Sequence, residues 1–228
     1  MNLYNAFETV IQSFGMQTLL HPLFYNSKVA IRFNIGDNGN EVYLDENEEG
    51  FTVNPEYLSA CLDRAKQIYC SLRNTPNVLV IDGYLYENDS AEDFINTVIT
   101  TTNLSQPQET KVEKIFEDGE EFNHIFLCWK LDGFNPDKLL KEIIMADLGS
   151  GNHFLTSSVY FVCTKDNVLF HLYDDRGADL VADKKENIQH IYYELNDLIL
   201  DYDREKIDDI FKAKARGLYE QKKTICIK

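Results

Sequence analysis

The densest run of chemistry-bearing side chains is Tyr173-Asp174-Asp175-Arg176-Gly177-Ala178-Asp179-Leu180, followed further along by Leu200-Asp201-Tyr202-Asp203-Arg204. Four carboxylates, Asp174, Asp179, Asp201 and Asp203, could converge on a hard divalent cation, with Arg176 or Arg204 left to hold a phosphate. That arrangement would be a metal-dependent phosphoesterase or another hydrolase. The same residues also suit plain architecture. Aspartates in a turn hydrogen-bond their own backbone, Gly177 would supply a positive φ, and Asp203 stands where a helix N-cap belongs. A third reading pairs Arg176 with Asp201 or Asp203 and so stitches turn to helix end by a buried ion pair. Tyr173 and Tyr202, with Tyr192 and Tyr193, would wall that junction, although aromatics at these spacings serve equally as core. The cation and the ion-pair readings both require the two segments to meet in space.

Other chemistry is thinly supported, and no complete catalytic constellation emerges. The histidines, His21, His124, His153, His171 and His190, show neither the i, i+4 nor the H-x-H spacing of a zinc site. His171 shares a strand face with Tyr173 and could reach the acidic turn as a general base, or be a hydrogen-bonded sheet histidine. No G-x-S-x-G elbow, dinucleotide fingerprint or phosphate-binding loop is present, and Gly149-Ser150-Gly151-Asn152 follows a helix rather than opening one. The five cysteines, Cys61, Cys70, Cys128, Cys163 and Cys226, are odd in number and scattered, as reduced thiols in a cytoplasmic protein would be. No cofactor is implied beyond a divalent cation.

The elements that must position these residues follow from periodicity. Leu3, Phe7, Val10, Ile11 and Phe14 mark an amphipathic helix that Gly15 stops. Val29 to Ile35 alternate as a half-buried strand, with a turn at Gly36 to Gly39 and a short partner strand at Glu41 to Leu44. Asn54-Pro55 caps a second helix through Leu72, and Val78 to Ile81 reads as a central strand buried on both faces. A short helix around Asp93 to Ile99 and a linker at Thr100 to Glu109 come next. The second half opens with an edge strand at Lys111 to Phe116, an acidic turn at Glu117 to Glu121 and a strand at Phe122 to Leu131. A capped helix from Asn135-Pro136 precedes a hairpin, Val159 to Thr164 and Val168 to Tyr173, and a third strand at Asp179 to Ala182. Asp183 and Glu186 have capping-box spacing before a long helix, and Asp203 starts a shorter one. The fold class expected is α+β, a mixed, largely antiparallel sheet with helices packed against it.

The Tyr-Asp-x-Arg-Gly-x-Asp turn, the helix after it and the Leu-Asp-Tyr-Asp-Arg segment resemble the C-terminal signature of the bacterial "domain of unknown function 3885" family. The resemblance lies mainly over residues 120–211, and extends more loosely to Val29–Phe33 and Asp63–Tyr69. It implies a shared fold unit and no particular reaction.

The charge balance narrows the partners. With 38 acidic residues against 22 basic, the net charge of −16 would repel a phosphate backbone, so nucleic acid is not expected. No charged-then-apolar leader opens the chain, and no apolar run is long enough to cross a bilayer, so neither secretion nor membrane anchoring is expected. An acidic body over a single unit 1–228, or over two intimate lobes at 1–100 and 110–211, ends in a basic tail at 212–228 with six basic residues against Glu220. These features favour a cytoplasmic, non-enzymatic binding protein for a basic protein partner, acting as immunity proteins act on toxins. The acidic patches Asp45 to Glu49 and Glu117 to Glu121 would be its contact surface.

Overall fold

The computed structural model describes residues 2–36, 42–44, 51–117, 119–149 and 153–212. The expected turn at 37–39, the acidic patch at 45–49, the loop at 150–152 and the tail from 213 onward lie outside the described residues. Helices α1 (Leu3–Ser13) and α2 (Leu23–Asn26) precede strand β1 (Ala30–Asn34), and short strands β2 (Val42–Leu44) and β3 (Phe51–Val53) pair with each other. The expected pairing of 41–44 with β1 is therefore not formed. Helix α3 (Pro55–Cys70), strand β4 (Val78–Tyr86) and helix α4 (Ala91–Thr102) follow, then the long hairpin β5 (Glu109–Glu117) and β6 (Glu120–Lys130). Helix α5 (Asp137–Ala146), strands β7 (Val159–Cys163), β8 (Val168–Leu172) and β9 (Gly177–Ala182), and helix α6 (Lys185–Glu194) complete the listing of regular elements before two 3-10 turns and a helical stretch at 204–212.

Seven strands form one sheet in the order β1-β9-β8-β7-β4-β6-β5, and every pairing in it is antiparallel. The fold is thus α+β, and the sheet draws strands from both ends of the chain: Ile31 lies opposite Leu180, far apart in sequence. β4 sits centrally between β6 and β7, as its β-branched run requires. Helix starts follow their local chemistry. Asn2 accepts from the Asn5 amide at 2.8 Å, and Asn54 accepts from the Glu56 amide at 3.0 Å with Pro55 at the first helical position. Asp183 does not form the expected capping box. Its carboxylate instead accepts from the side-chain amides of Asn167 and Asn187, at 3.2 and 2.9 Å.

The two faces of the sheet differ in kind. Across one run Ile31, Leu180, Phe170, Phe161, Leu79 and Trp129, in direct register and all buried. Tyr69 of α3 packs edge-on against Phe161 at 5.4 Å, and Phe94 of α4 fills the space above Gly83, on this same face. Each large side chain buried here contributes roughly 1.5–3 kcal/mol. One residue further along each strand, the opposite face carries Arg32, Asp179, His171 and Tyr160 in cross-strand register. That row is covered by α1 and α2: Phe7 lies 5.7 Å from the Tyr160 ring, and the α2 amide of Phe24 donates to Asp179 at 3.1 Å. The alternation of side chains along a strand thus separates a dry core from a buried polar row.

Candidate polar cleft under helix α2

Arg32 is the hub of the polar row. Its Nε donates to Asp179 Oδ1 at 2.8 Å and an Nη donates to Asp179 Oδ2 at 3.0 Å, a bidentate pair between adjacent strands. The other Nη stands 3.6 Å from Asp203 Oδ2, while Asp203 Oδ1 accepts from the Tyr25 hydroxyl at 2.9 Å. The guanidinium carbon lies 4.9 Å from the Phe24 ring centroid and 4.8 Å from that of Tyr25, so aromatic faces cover it. Burial, the largest single influence, opposes its charge, but the Asp179 hydrogen bonds together with the nearby negative charges of Asp179 and Asp203 hold its pKa above the ordinary arginine value.

Asp203 reaches Arg32 because the preceding segment joins the open edge of β1. Ile199 bridges to Phe33, and the Leu200 amide donates to the Arg32 carbonyl at 2.9 Å. Arg204 secures the same segment, with one Nη donating to the carbonyls of both Asn196 at 3.0 Å and Ile199 at 2.9 Å and Nε to Asp201 at 3.0 Å. Tyr202 is 86% exposed and walls nothing.

The turn itself is built differently from the sequence expectation. Arg176 pairs with Asp174, through Nε at 2.9 Å and an Nη, and approaches Asp147 at 3.4 Å; it does not meet Asp201 or Asp203. The Arg176 amide donates to Asp174 Oδ1 at 2.8 Å, the aspartate turn expected of such a sequence. Asp175 is buried and accepts from the Tyr57 hydroxyl of α3 at 2.6 Å, which ties the turn to the helical layer. Gly177 is not among the described positive-φ residues. Its lack of a side chain has another cause: a Cβ there would run into the Tyr173 hydroxyl and stand 2.8 Å from the Phe33 carbonyl oxygen.

The four carboxylates once grouped for a cation are therefore dispersed. Asp179 and Asp203 share Arg32, Asp174 holds Arg176, and the Asp201 side chain is 94% exposed. A different trio, Asp147, Asp174 and Asp175, lies close enough together to share an ion among the described residues, but Arg176 already sits against two of its members.

Beside Arg32 opens a cavity of about 300 Å³, lined by His21, Pro22, Leu23, Arg32, Ser157, His171, Tyr173 and Asp179. His171 is 2% exposed and its ring stacks on Tyr160 at 4.9 Å, with His21 at 5.4 Å and Tyr173 at 5.7 Å. Burial, reinforced by the neighbouring His21, lowers its pKa to about 3; the Ser157 backbone favours the charged form, yet neither ring nitrogen finds hydrogen-bond geometry. His21 is also shifted down by burial, and its Nε2 lies 2.9 Å from the Tyr160 hydroxyl, which donates to the Ser157 carbonyl. Burial and then Asp179 push the Tyr173 phenol up. Sequence reasoning picked out His171 and Tyr173 but missed Arg32 and His21. The available signal was Arg32 itself, a charge on an otherwise strand-like run.

A family model described as "Domain of unknown function (DUF3885)" matches residues 7–203. The chain belongs to this family. The match takes in both the turn and the Leu200–Asp203 segment, so the Arg32–Asp179–Asp203 junction lies within the family's extent. No curated protein and no solved structure matches the chain significantly.

Proposed function

We propose that this member of the DUF3885 family is a non-catalytic protein of the bacterial cytoplasm that binds a basic protein partner through the free end of its sheet. The carrying observation is a group of exposed aromatics in an acidic rim. β7 pairs only with Val78–Ile81, so the outer half of β4 continues with β6 and β5 alone. On one face of that extension Tyr84 and Tyr86 are 58% and 60% exposed, and the Tyr86 ring lies 5.1 Å from that of Phe122, while Phe116, 76% exposed, stands on the opposite face. Glu87, Asp89 and Glu120 lie at the same end of the strands, all exposed, and Glu121 is paired with Lys114. β5 is also an edge strand, which offers backbone groups for pairing with an incoming strand. Aromatic anchors within a charged rim are the usual makeup of an interface, and the net charge of −16 selects for a basic surface.

The chain purified from its own host, followed by mass spectrometry across a salt series, tests this. A basic protein should co-purify at low salt and dissociate as salt rises. Tyr84→Ser with Tyr86→Ser, which keeps every charge, should weaken binding by about tenfold or more while leaving its salt dependence unchanged. A partner retained equally by that variant, or retained unchanged at high salt, refutes the proposal.

A further inference from the structure

We infer that the cleft between α2 and the sheet is a binding site for a small, uncharged polar molecule that both donates and accepts hydrogen bonds. The site is distinct from the sheet end above and does not depend on it. Three observations combine. The cavity of about 300 Å³ is at the lower end of the range for small-molecule sites, and its wall mixes aromatic and polar groups. His171 lines it with neither ring nitrogen in hydrogen-bond geometry, the Ser157 backbone being its one nearby hydrogen-bonding influence, although the residue is 2% exposed. Native structures satisfy the large majority of buried polar groups, so an unsatisfied imidazole facing a cavity marks hydrogen-bonding capacity reserved for something that enters it.

The chemistry of the wall sets the ligand class. A neutral imidazole presents one N–H donor and one acceptor nitrogen, which calls for a partner with both functions. Charge is balanced: Arg32 and Asp179 cancel, and burial favours the neutral form of His21 as of His171. Arg32 does not serve as an anion hook. Its fork is engaged by Asp179, its remaining Nη faces Asp203, and its plane lies against Phe24 and Tyr25. The His21 and Tyr173 rings that line the cavity beside His171 favour a planar group such as an amide, lactam or azole.

A panel of uncharged amides, lactams and azoles, each with a carboxylate analogue of the same shape, tests the assignment by ligand-observed NMR at millimolar concentration. Protein labelled with ¹⁵N in its histidine rings reports the site directly. Neutral members should bind and shift the His171 ring resonances, and their carboxylate analogues should not. His171→Phe should lower the affinity by about tenfold or more. Three results overturn the inference: no neutral member shifts the His171 ring, carboxylates bind as tightly as their neutral analogues, or binding is unchanged in His171→Phe. If that variant fails to fold, the ring shifts in the native chain decide alone.

Discussion

Replacing Arg32 with alanine should be among the most damaging single substitutions in the molecule outside the apolar core. The side chain is only 13% exposed, and its two partners, Asp179 and Asp203, are 2% and 5% exposed at their side chains. Removing the arginine leaves two buried carboxylates facing each other without a cation. Breaking a buried pair in this way costs roughly 3–5 kcal/mol, most of it the penalty of an uncompensated charge. Asp179 still accepts from the Phe24 amide and Asp203 from Tyr25, which places the expected loss at the lower end, about 3 kcal/mol. For a chain of this length that corresponds to a fall in Tm of roughly 6–12 °C. Urea denaturation followed by far-UV circular dichroism measures it. The comparison is Arg176→Ala: its side chain is 66% exposed, and it leaves one buried carboxylate, Asp174, still bonded to the backbone amide of residue 176, so its loss should be clearly smaller than that of Arg32→Ala. The apolar double substitution Arg32→Met with Asp179→Leu should recover only part of the loss, because it removes one of the two carboxylates with the arginine while leaving Asp203 without a cation and the Phe24 amide without its acceptor. If Arg176→Ala proves as costly as Arg32→Ala, the assignment of Arg32 as the stitch between strand, turn and C-terminal segment is wrong.

Gly177→Ala should destabilise by roughly 1–3 kcal/mol through overpacking against the Tyr173 hydroxyl and the Phe33 carbonyl, read as a lower urea midpoint. Adding Tyr173→Phe should restore part of that loss, and a second substitution without effect would mean that the close approach is not what excludes a side chain. Stability should also fall on mild acidification. The unfolded chain takes up a proton at His171 near pH 6.5, whereas the folded chain resists until about 3, so this contribution is complete above 6.5 and is lost as pH falls below it. By about pH 5 the loss is ~2 kcal/mol, with His21 adding in the same direction. Urea midpoints of the native chain and of His171→Phe from about pH 7.5 to 4.5 isolate the effect. Parallel curves would contradict it.

Local signals carried the elements well and long-range pairings poorly. The Asn54-Pro55 start of α3, the Lys165-Asp166-Asn167 hairpin turn and the β-branched run of β4 each encode their conformation within a few residues. β2 was assigned to the wrong neighbour because a short strand with no distinctive pattern does not specify its partner, and β1 found its pairing at β9 instead. The same limit hid the site. Ala30, Arg32 and Asn34 read as the solvated face of a half-buried strand, but a second layer, α1 and α2, covers that face and turns Arg32 into a buried charge. Each buried signature aspartate has a defined hydrogen-bond partner. Which cation each would meet was not legible, since Asp174 takes the arginine two residues away and Asp179 takes one on another strand.

The division of labour within the signature follows from these pairings. Asp174 and Arg176 shape the turn, Asp175 anchors it to α3 through Tyr57, and Gly177 makes room for Tyr173. Asp179 and Asp203 fix Arg32, while Arg204 holds the chain that delivers Asp203. Of these contacts, those of Asp203 and Arg204 close the β1 edge of the sheet, where Ile199 and Leu200 run beside β1. The groups proposed for recognition lie elsewhere: His171 in the cleft that this junction walls, and the aromatic, acidic end of the sheet on the far side of β4. A buried ion pair that contributes little net stability still has a physical use here. Its geometry holds β1, β9 and the segment after α6 in one register, and that register sets the position of the cleft.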